Sequence, residues 1–298
     1  MRIILIYNEN RSHLNSLLLD LFSVHGIFMK SSRRFAAQGF AAQLALLTLA
    51  GFSVPASAFH PLITDDTGTQ GSGGNQLEFL FNEDRTKAAG NIERLHTLPI
   101  VYTRGLSEAF DIFGGLSYAR IRSGTSAGDA SGSGNPSFGA KWRFYQSEKN
   151  KTSFALKPEV LFPISADGEG AGLGEGKTSG NLTLILTREV PFGAVHINAG
   201  LARNRYRDAL NHPDRTTTRA SIAPVWNVTE QWKLALDLAT QSAHAGGAEL
   251  RSNFAELGAI YSPGKDLDLT LGVLRSSDND GPRTTRHTAT AGITWRFR

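Results

Sequence analysis

The histidines, serines and carboxylates of this 298-residue chain bound the chemistry it can perform. Hydrolysis needs a nucleophile, a base and an orienting group within hydrogen-bond reach. Two pairs come near this in sequence. His196 and Asn198 share one face of a strand-like run, and Ser242 and His244 share another beside a loop. A Gly-x-Ser-x-Gly elbow is absent from the predicted strands, and a His-x-Asn spacing arises readily by chance. His212 and His287 fall in or beside long loops without metal-ligand spacing. The chain has no cysteine, which removes disulfides and thiolate metal sites. No catalytic set, cofactor or metal is expected.

The densest run of side-chain oxygens is Thr64-Asp65-Asp66-Thr67, inside a polar stretch with turn residues and no β period. It lacks the spaced ligands of a calcium loop. Residues 59–74 read either as a disordered periplasmic leader or as a plug whose acids meet basic groups elsewhere.

Those basic groups must be positioned by strands. From Thr288 to Phe297 the residues alternate strictly, with Ala289, Ala291, Ile293, Trp295 and Phe297 on one face and Thr288, Thr290, Gly292, Thr294 and Arg296 on the other. A period of two with an aromatic near the end describes the closing strand of an outer-membrane barrel. A hairpin pattern of apolar strand end, tight polar turn and alternating strand recurs at 101–112, 225–234 and 260–269, with looser copies at 144–154 and 187–197. This predicts an all-β fold, a transmembrane antiparallel up-and-down barrel of about 12 strands over 75–298. The predicted strands are 75–85, 92–104, 108–122, 134–146, 151–162, 178–190, 192–206, 216–228, 231–243, 251–263, 265–277 and 285–297. Short turns fall on one side. Long loops near 122–134, 163–178, 207–216 and 277–285 fall on the other, and 122–134 and 163–178 read as flexible.

The two faces of these strands separate cleanly. Phe138, Ala140, Trp142 and Phe144, Leu182, Leu184 and Leu186, Trp232, Leu234, Leu236 and Leu238, and Leu267, Leu269, Leu271 and Val273 form uncharged lipid-facing rows. Tyr102, Phe110, Trp142, Phe144, Trp226, Trp232, Tyr261, Trp295 and Phe297 gather at the short-turn ends as an aromatic girdle. The opposite rows carry the expected lumen-lining set of Glu78, Asp111, Lys141, Arg143, Lys157, Glu159, Arg219, Lys233, Asp237, Asp268 and Arg296. These charges line a permeation path or form a ladder of salt bridges that fills the interior. Pro99, Pro136, Pro158 and Pro224 sit inside predicted strands, more proline than a seamless ladder holds.

Met29 opens a secretory signal. Lys30, Arg33 and Arg34 form its charged region, Phe35–Phe52 its apolar region and Ala56-Ser57-Ala58 its cleavage site. The signal peptide is therefore 29–58, and residues 1–28 read as an over-extended start. The segment 1–58 holds five Lys or Arg and two Asp or Glu; removing them from totals of 31 and 27 leaves 26 and 25, a net charge of +1. Nucleic-acid binding has no basic stripe to rest on.

The stretch His60-Pro61-Leu62-Ile63-Thr64-Asp65-Asp66-Thr67-Gly68-Thr69-Gln70-Gly71, followed by Gln76-Leu77-Glu78, resembles the start of the outer-membrane transporter family named for the meta-pathway of phenol degradation. The hairpin around Tyr102 to Asp111 and the alternating aromatic terminus are also similar, so the resemblance covers roughly 59–298. It departs at Arg298, where many barrels finish on the aromatic itself. The resemblance implies an outer-membrane protein that passes small, often aromatic or hydrophobic compounds, and it supplies no catalytic residues. The expected partners are the lipid bilayer, the barrel-assembly machinery reading the C-terminal strand, and a small-molecule permeant.

Overall fold

The computed structural model describes residues 61–88, 91–123, 129–208, 212–278 and 284–298. The over-extended start 1–28, the signal peptide 29–58 and the first two residues of the plug segment lie outside the described residues.

Among the described residues thirteen strands form one sheet. They are β1 (Asn75–Ala88), β2 (Asn91–Ser107), β3 (Phe110–Ser123), β4 (Ala130–Ser133), β5 (Ser137–Ser147), β6 (Thr152–Leu161), β7 (Ser179–Val190), β8 (Gly193–Asn204), β9 (Arg215–Asn227), β10 (Trp232–Ala245), β11 (Ala248–Gly264), β12 (Leu267–Asp278) and β13 (Thr285–Phe297). Successive strands pair antiparallel, and β1 pairs with β13 from Asn75–Phe297 to Lys87–Thr285, which closes the barrel. β4 and β5 both pair with β3 and act as one interrupted stave, so the wall has 12 staves. Closure leaves no open edge, the condition for a sheet to span lipid.

The alternation read from sequence sets which way each residue faces. Leu269, Leu271 and Val273 are exposed on β12, while Thr270 and Leu274 between and beside them are buried. Phe138 and Trp142, Leu182 and Leu184, and Trp232, Leu234 and Leu238 are likewise exposed. The girdle aromatics pair off near the short turns: Trp232 with Tyr261 at 4.8 Å, Trp295 with Phe297 at 4.6 Å, and Trp226 with Phe192 at 5.7 Å between ring centroids.

Three features differ from expectation. The predicted strand 134–146 is broken, because Gly134-Asn135-Pro136 separates β4 from β5. Two connections on the long-loop side are tight. One, between β10 and β11, is the two-residue turn Gly246-Gly247, with φ of +57° and +82°, so the ladder runs on to Ala245–Ala248. Both residues sit in the left-handed region, which suits glycine and matches the twist of a hairpin. Finally, the loop after β6 is ordered. It carries a short helix, α1 (Ala166–Gly170), capped by Ser165, whose hydroxyl accepts from Gly168 N–H.

The prolines leave gaps without shifting register. The β1/β2 ladder pairs Phe79 with Ile100, then resumes at Asn82 with Thr97, skipping Pro99. The β5/β6 ladder pairs Gly139 with Glu159, then Trp142 with Leu156, skipping Pro158. The β9/β10 ladder pairs Ala235 with Val225, then Leu238 with Ile222, skipping Pro224. Proline has no N–H to give, so each skip is a seam in an otherwise continuous wall.

Replacing Gly246 and Gly247 together by alanine forces two Cβ atoms into the left-handed region. The expected loss is about 2 kcal/mol, read as a lower denaturant midpoint for barrels refolded in lipid.

Candidate functional site

Residues 61–74 lie against the inward faces of the strands. The leading apolar residues come first. Leu62 packs with Ala223, Val225 and Ala235, and Ile63 against Ala239, Phe254 and Leu274. Pro61 rests on Gly258 and Gly272, which face each other across β11 and β12; a Cβ on either would stand 2.8 Å from the Pro61 ring.

The polar run follows. Thr64 is fully buried: its N–H donates to Asp237 Oδ2 at 2.7 Å, and its hydroxyl lies 2.7 Å from Asp237 Oδ1 and 2.8 Å from Ser221 Oγ. Asp65 bridges two ammonium groups, Lys141 Nζ at 2.9 Å from Oδ1 and Lys157 Nζ at 2.8 Å from Oδ2. Its main chain is held by Asn198. With the carboxamide turned to satisfy both groups, the oxygen accepts from Asp65 N–H at 2.6 Å and the nitrogen donates to Asp65 O at 3.0 Å. The Asp66 carboxylate accepts from Gly68 N–H at 2.6 Å and lies 3.8 Å from Lys141 Nζ, while its carbonyl accepts from Lys141 at 3.1 Å. The Thr67 hydroxyl meets Ser153 Oγ at 2.5 Å, and its N–H donates to Thr187 Oγ1, which also contacts His196 Nδ1 at 2.9 Å. Gln70 N–H donates to Asp111 Oδ2 at 2.9 Å, and Gly73 and Gly74 exchange main-chain bonds with Gly105.

Burial alone would push the Asp65 carboxyl up. The ammonium groups of Lys141 and then Lys157 outweigh it and hold the carboxyl below the usual carboxylate range.

The expected lumen-lining residues divide by place. Glu78, Asp111, Lys141, Lys157, Glu159 and Asp237 are buried on inward faces. Lys141, Lys157, Asp111 and Asp237 contact the segment, whereas Glu159 accepts from Asn181 Nδ2 at 3.0 Å. Arg219 and Lys233 are half-buried. Arg143 donates to the Glu108 carbonyl at the β2/β3 turn, which also accepts from the Thr69 hydroxyl of the segment at 2.7 Å. Asp268 and Arg296 pair at 2.6 Å near the chain end, and Arg296 Nε donates to Gln76, which also receives Gln70 Nε2.

His196 and Asn198, weighed in sequence as catalytic partners, both face this segment, Asn198 directly and His196 through Thr187. Ser221, Ser153 and Thr187 were missed. Only their inward parity on a strand could have marked them. The other pair does not form a nucleophile and base: the Ser242 hydroxyl donates to Glu249 Oε1 at 2.7 Å, and His244 lies 3.6 Å from Glu249 Oε2 on the exposed outer end. His287 is exposed on β13, and His212 lies tilted against Tyr206 with ring centroids 6.2 Å apart. Among the described residues no three His, Asp or Glu side chains are grouped as metal ligands would be.

The outer mouth has its own closure, which overturns the reading of 163–178 as a flexible loop. Asn135, at the break between β4 and β5, donates to Phe162 O and Glu175 O at 2.8 Å each and accepts from Glu175 N–H at 2.8 Å. The buried Glu175 carboxylate accepts from Asn204 Nδ2 at 2.5 Å, and Glu169 accepts from Arg207 N–H at 2.7 Å. Tyr206 lies beside the buried Arg215, and burial pushes its phenol up to about 12.

The chain matches the family model described as "Putative MetA-pathway of phenol degradation" over residues 63–297. It belongs to that family. Among curated proteins no sequence relative is found. Among solved structures the family member is similar to the COG4313 outer membrane channel from Pseudomonas putida F1, with a TM-score of 0.62, 14% identity, and coverage of 78% of this chain and 98% of that one. It is also similar to the beta domain of the Bordetella autotransporter BrkA, with a TM-score of 0.52, 13% identity, and coverage of 76% and 100%. At such identities the likeness is one of fold, that of an outer-membrane β-barrel.

Asp65→Ala removes the one carboxylate that bridges the two lysines, a loss of about 3 kcal/mol. The segment 61–70 should become cleavable by added protease in refolded barrels, while the wild-type segment stays protected. Because the seated carboxyl titrates below its ordinary value of about 4, the stabilisation is complete above that pH. It is lost as pH falls through the lower, seated value. Protection of the wild type should therefore persist from neutral pH to about 4 and fail only in stronger acid.

Proposed function

We propose that this protein is an outer-membrane channel for small, hydrophobic or aromatic molecules, sealed by its N-terminal segment. One observation carries the reading. The segment grips the wall at two of its seams. Asp65 ties Lys141 of β5 to Lys157 of β6, and Thr64 ties Ser221 of β9 to Asp237 of β10. Lys141 and Lys157 are opposed in register within the stretch where the β5/β6 ladder lapses, and Asp237 stands in the corresponding lapse of β9/β10. Releasing the segment then clears the lumen and loosens the wall together. A water-soluble permeant needs only the first; a hydrophobic one gains a sideways exit into lipid from the second. The family's description and the channel fold of the Pseudomonas putida protein support the substrate class and the transport role. The permeant reaches the segment past the folded loop that carries α1. The barrel-assembly machinery recognises the C-terminal strand β13, whose outward Trp295 is exposed beside Phe297.

Uptake of radiolabelled phenol and of sugars into cells, with bilayer conductance of the refolded barrel, tests this. The wild type should take up phenol with little ion flow, and Asp65→Ala should raise ionic conductance several-fold. Unchanged conductance from a variant whose segment is protease-accessible would remove the segment as the seal. A second test uses the absence of native cysteine. Leu238→Cys with Ile222→Cys places two thiols across the edge of the β9/β10 seam and keeps Pro224. Oxidation should depress phenol uptake, reduction should restore it, and sugar uptake should not respond.

A further inference from the structure

We infer a binding site for one anionic phospholipid on the outer wall, at the short-turn end of β5, β6 and β7. The inference rests on the barrel standing in a membrane and not on what the barrel transports.

A β-bulge builds the site. The β5/β6 ladder pairs Trp142 with Leu156 and then Tyr145 with Phe154, a shift of one residue. An unbroken strand would send Phe144 and Tyr145 to opposite faces. The bulge turns both outward, 45% and 44% exposed, and re-aiming of this kind is what bulges do. The two rings flank Phe154, at 6.2 Å stacked and 5.8 Å edge-on between centroids. They wall a groove of roughly 740 Å³ that Leu184 completes above, with Asn150, Thr152 and Arg188 along the rim.

The rim carries the charge. Arg188 is exposed on β7, its neighbour Thr187 serving the inner face. Its Nη1 donates to Thr152 Oγ1 at 3.2 Å, and among the described residues no carboxylate lies within ion-pair distance of it. The nearby Glu189 pairs instead with Lys151 at 3.6 Å. A guanidinium left without a carboxylate on a lipid-facing wall is tolerated near the interface, where the cost of charge is small, and it presents a fork suited to phosphate. Short turns face the periplasm in outer-membrane barrels, so Arg188 stands at the headgroup level of the inner leaflet, with the aromatic groove reaching toward the acyl chains. An aromatic cleft below and a cation at phosphate height complement a phospholipid with a net negative headgroup. Neither a sugar nor an ordinary soluble partner fits that arrangement.

Native mass spectrometry of the detergent-solubilised full barrel, titrated with phosphatidylglycerol or phosphatidylethanolamine, tests the site. The wild type should retain one phosphatidylglycerol per barrel in preference to phosphatidylethanolamine. Arg188→Gln should weaken retention about tenfold, and Tyr145→Ser should weaken it with the charge intact. Arg275→Gln, which removes an exposed arginine elsewhere on the outer wall, should leave retention unchanged. A shift in gel mobility on heating confirms that each variant is folded. Equal retention by wild type and Arg188→Gln, equal affinity for the two lipids, or a dimer that covers the groove and excludes lipid would each overturn the proposal.

Discussion

Two ammonium groups, Lys141 and Lys157, face each other inside the barrel, and one carboxylate, Asp65, touches both, with Asp66 3.8 Å from Lys141 beside it. Like charges directly opposed across strands repel, and burial sharpens the repulsion. Asp65 answers it with one oxygen for each lysine. The wall is thus built to receive an acid at one height. Without it the two lysines lose the acid that joins them; with it the N-terminal segment has a fixed address.

The neutral contacts around that acid set the register. A one-residue slip toward β10 would bring Asp65 against Asp237, whose oxygens now accept from Thr64. A slip the other way would take Asp65 from its lysines. Pro61 cannot advance either, since Gly258 and Gly272 provide room for it at one point of the wall. A buried ion pair is weak evidence of net stability, and its better-attested use is to fix one arrangement among several. Here the arrangement is the depth at which the segment sits.

Much of the barrel was legible in sequence because its two signals are local. Period-two alternation separates the faces, and tight turns against long loops separate the ends. The acids at 64–67 and the inward lysines were legible too, as charges that needed partners. What could not be read was pairing at long range. Nothing local in Asn198, Ser221 or Thr187 says that each meets a segment more than a hundred residues away, and His196 with Asn198 imitated a catalytic spacing for that reason. The loop at 163–178 misled by composition. Its glycines suggested mobility, while its fixing groups, Asn135, Asn204 and Arg207, lie on other elements. The Gly246-Gly247 hairpin was lost between two strands drawn too short.

Three of the four proline breaks are bridged by side chains from elsewhere in the chain. Asn135 fixes the Pro136 break to the outer loop, Asp65 crosses the seam at Pro158, and Thr64 crosses the seam at Pro224. A ladder of main-chain bonds in lipid cannot open cheaply, because each freed N–H and C=O has nothing else to bond. A seam already lacking those bonds and held by a removable staple escapes that penalty. The staples are polar and centred on ions, so water or a competing anion in the lumen can replace their contacts, whereas lipid outside cannot. In the proposed channel, control of the wall would lie on the lumen side, and the lipid side would contribute only the apolar surface into which a hydrophobic molecule leaves.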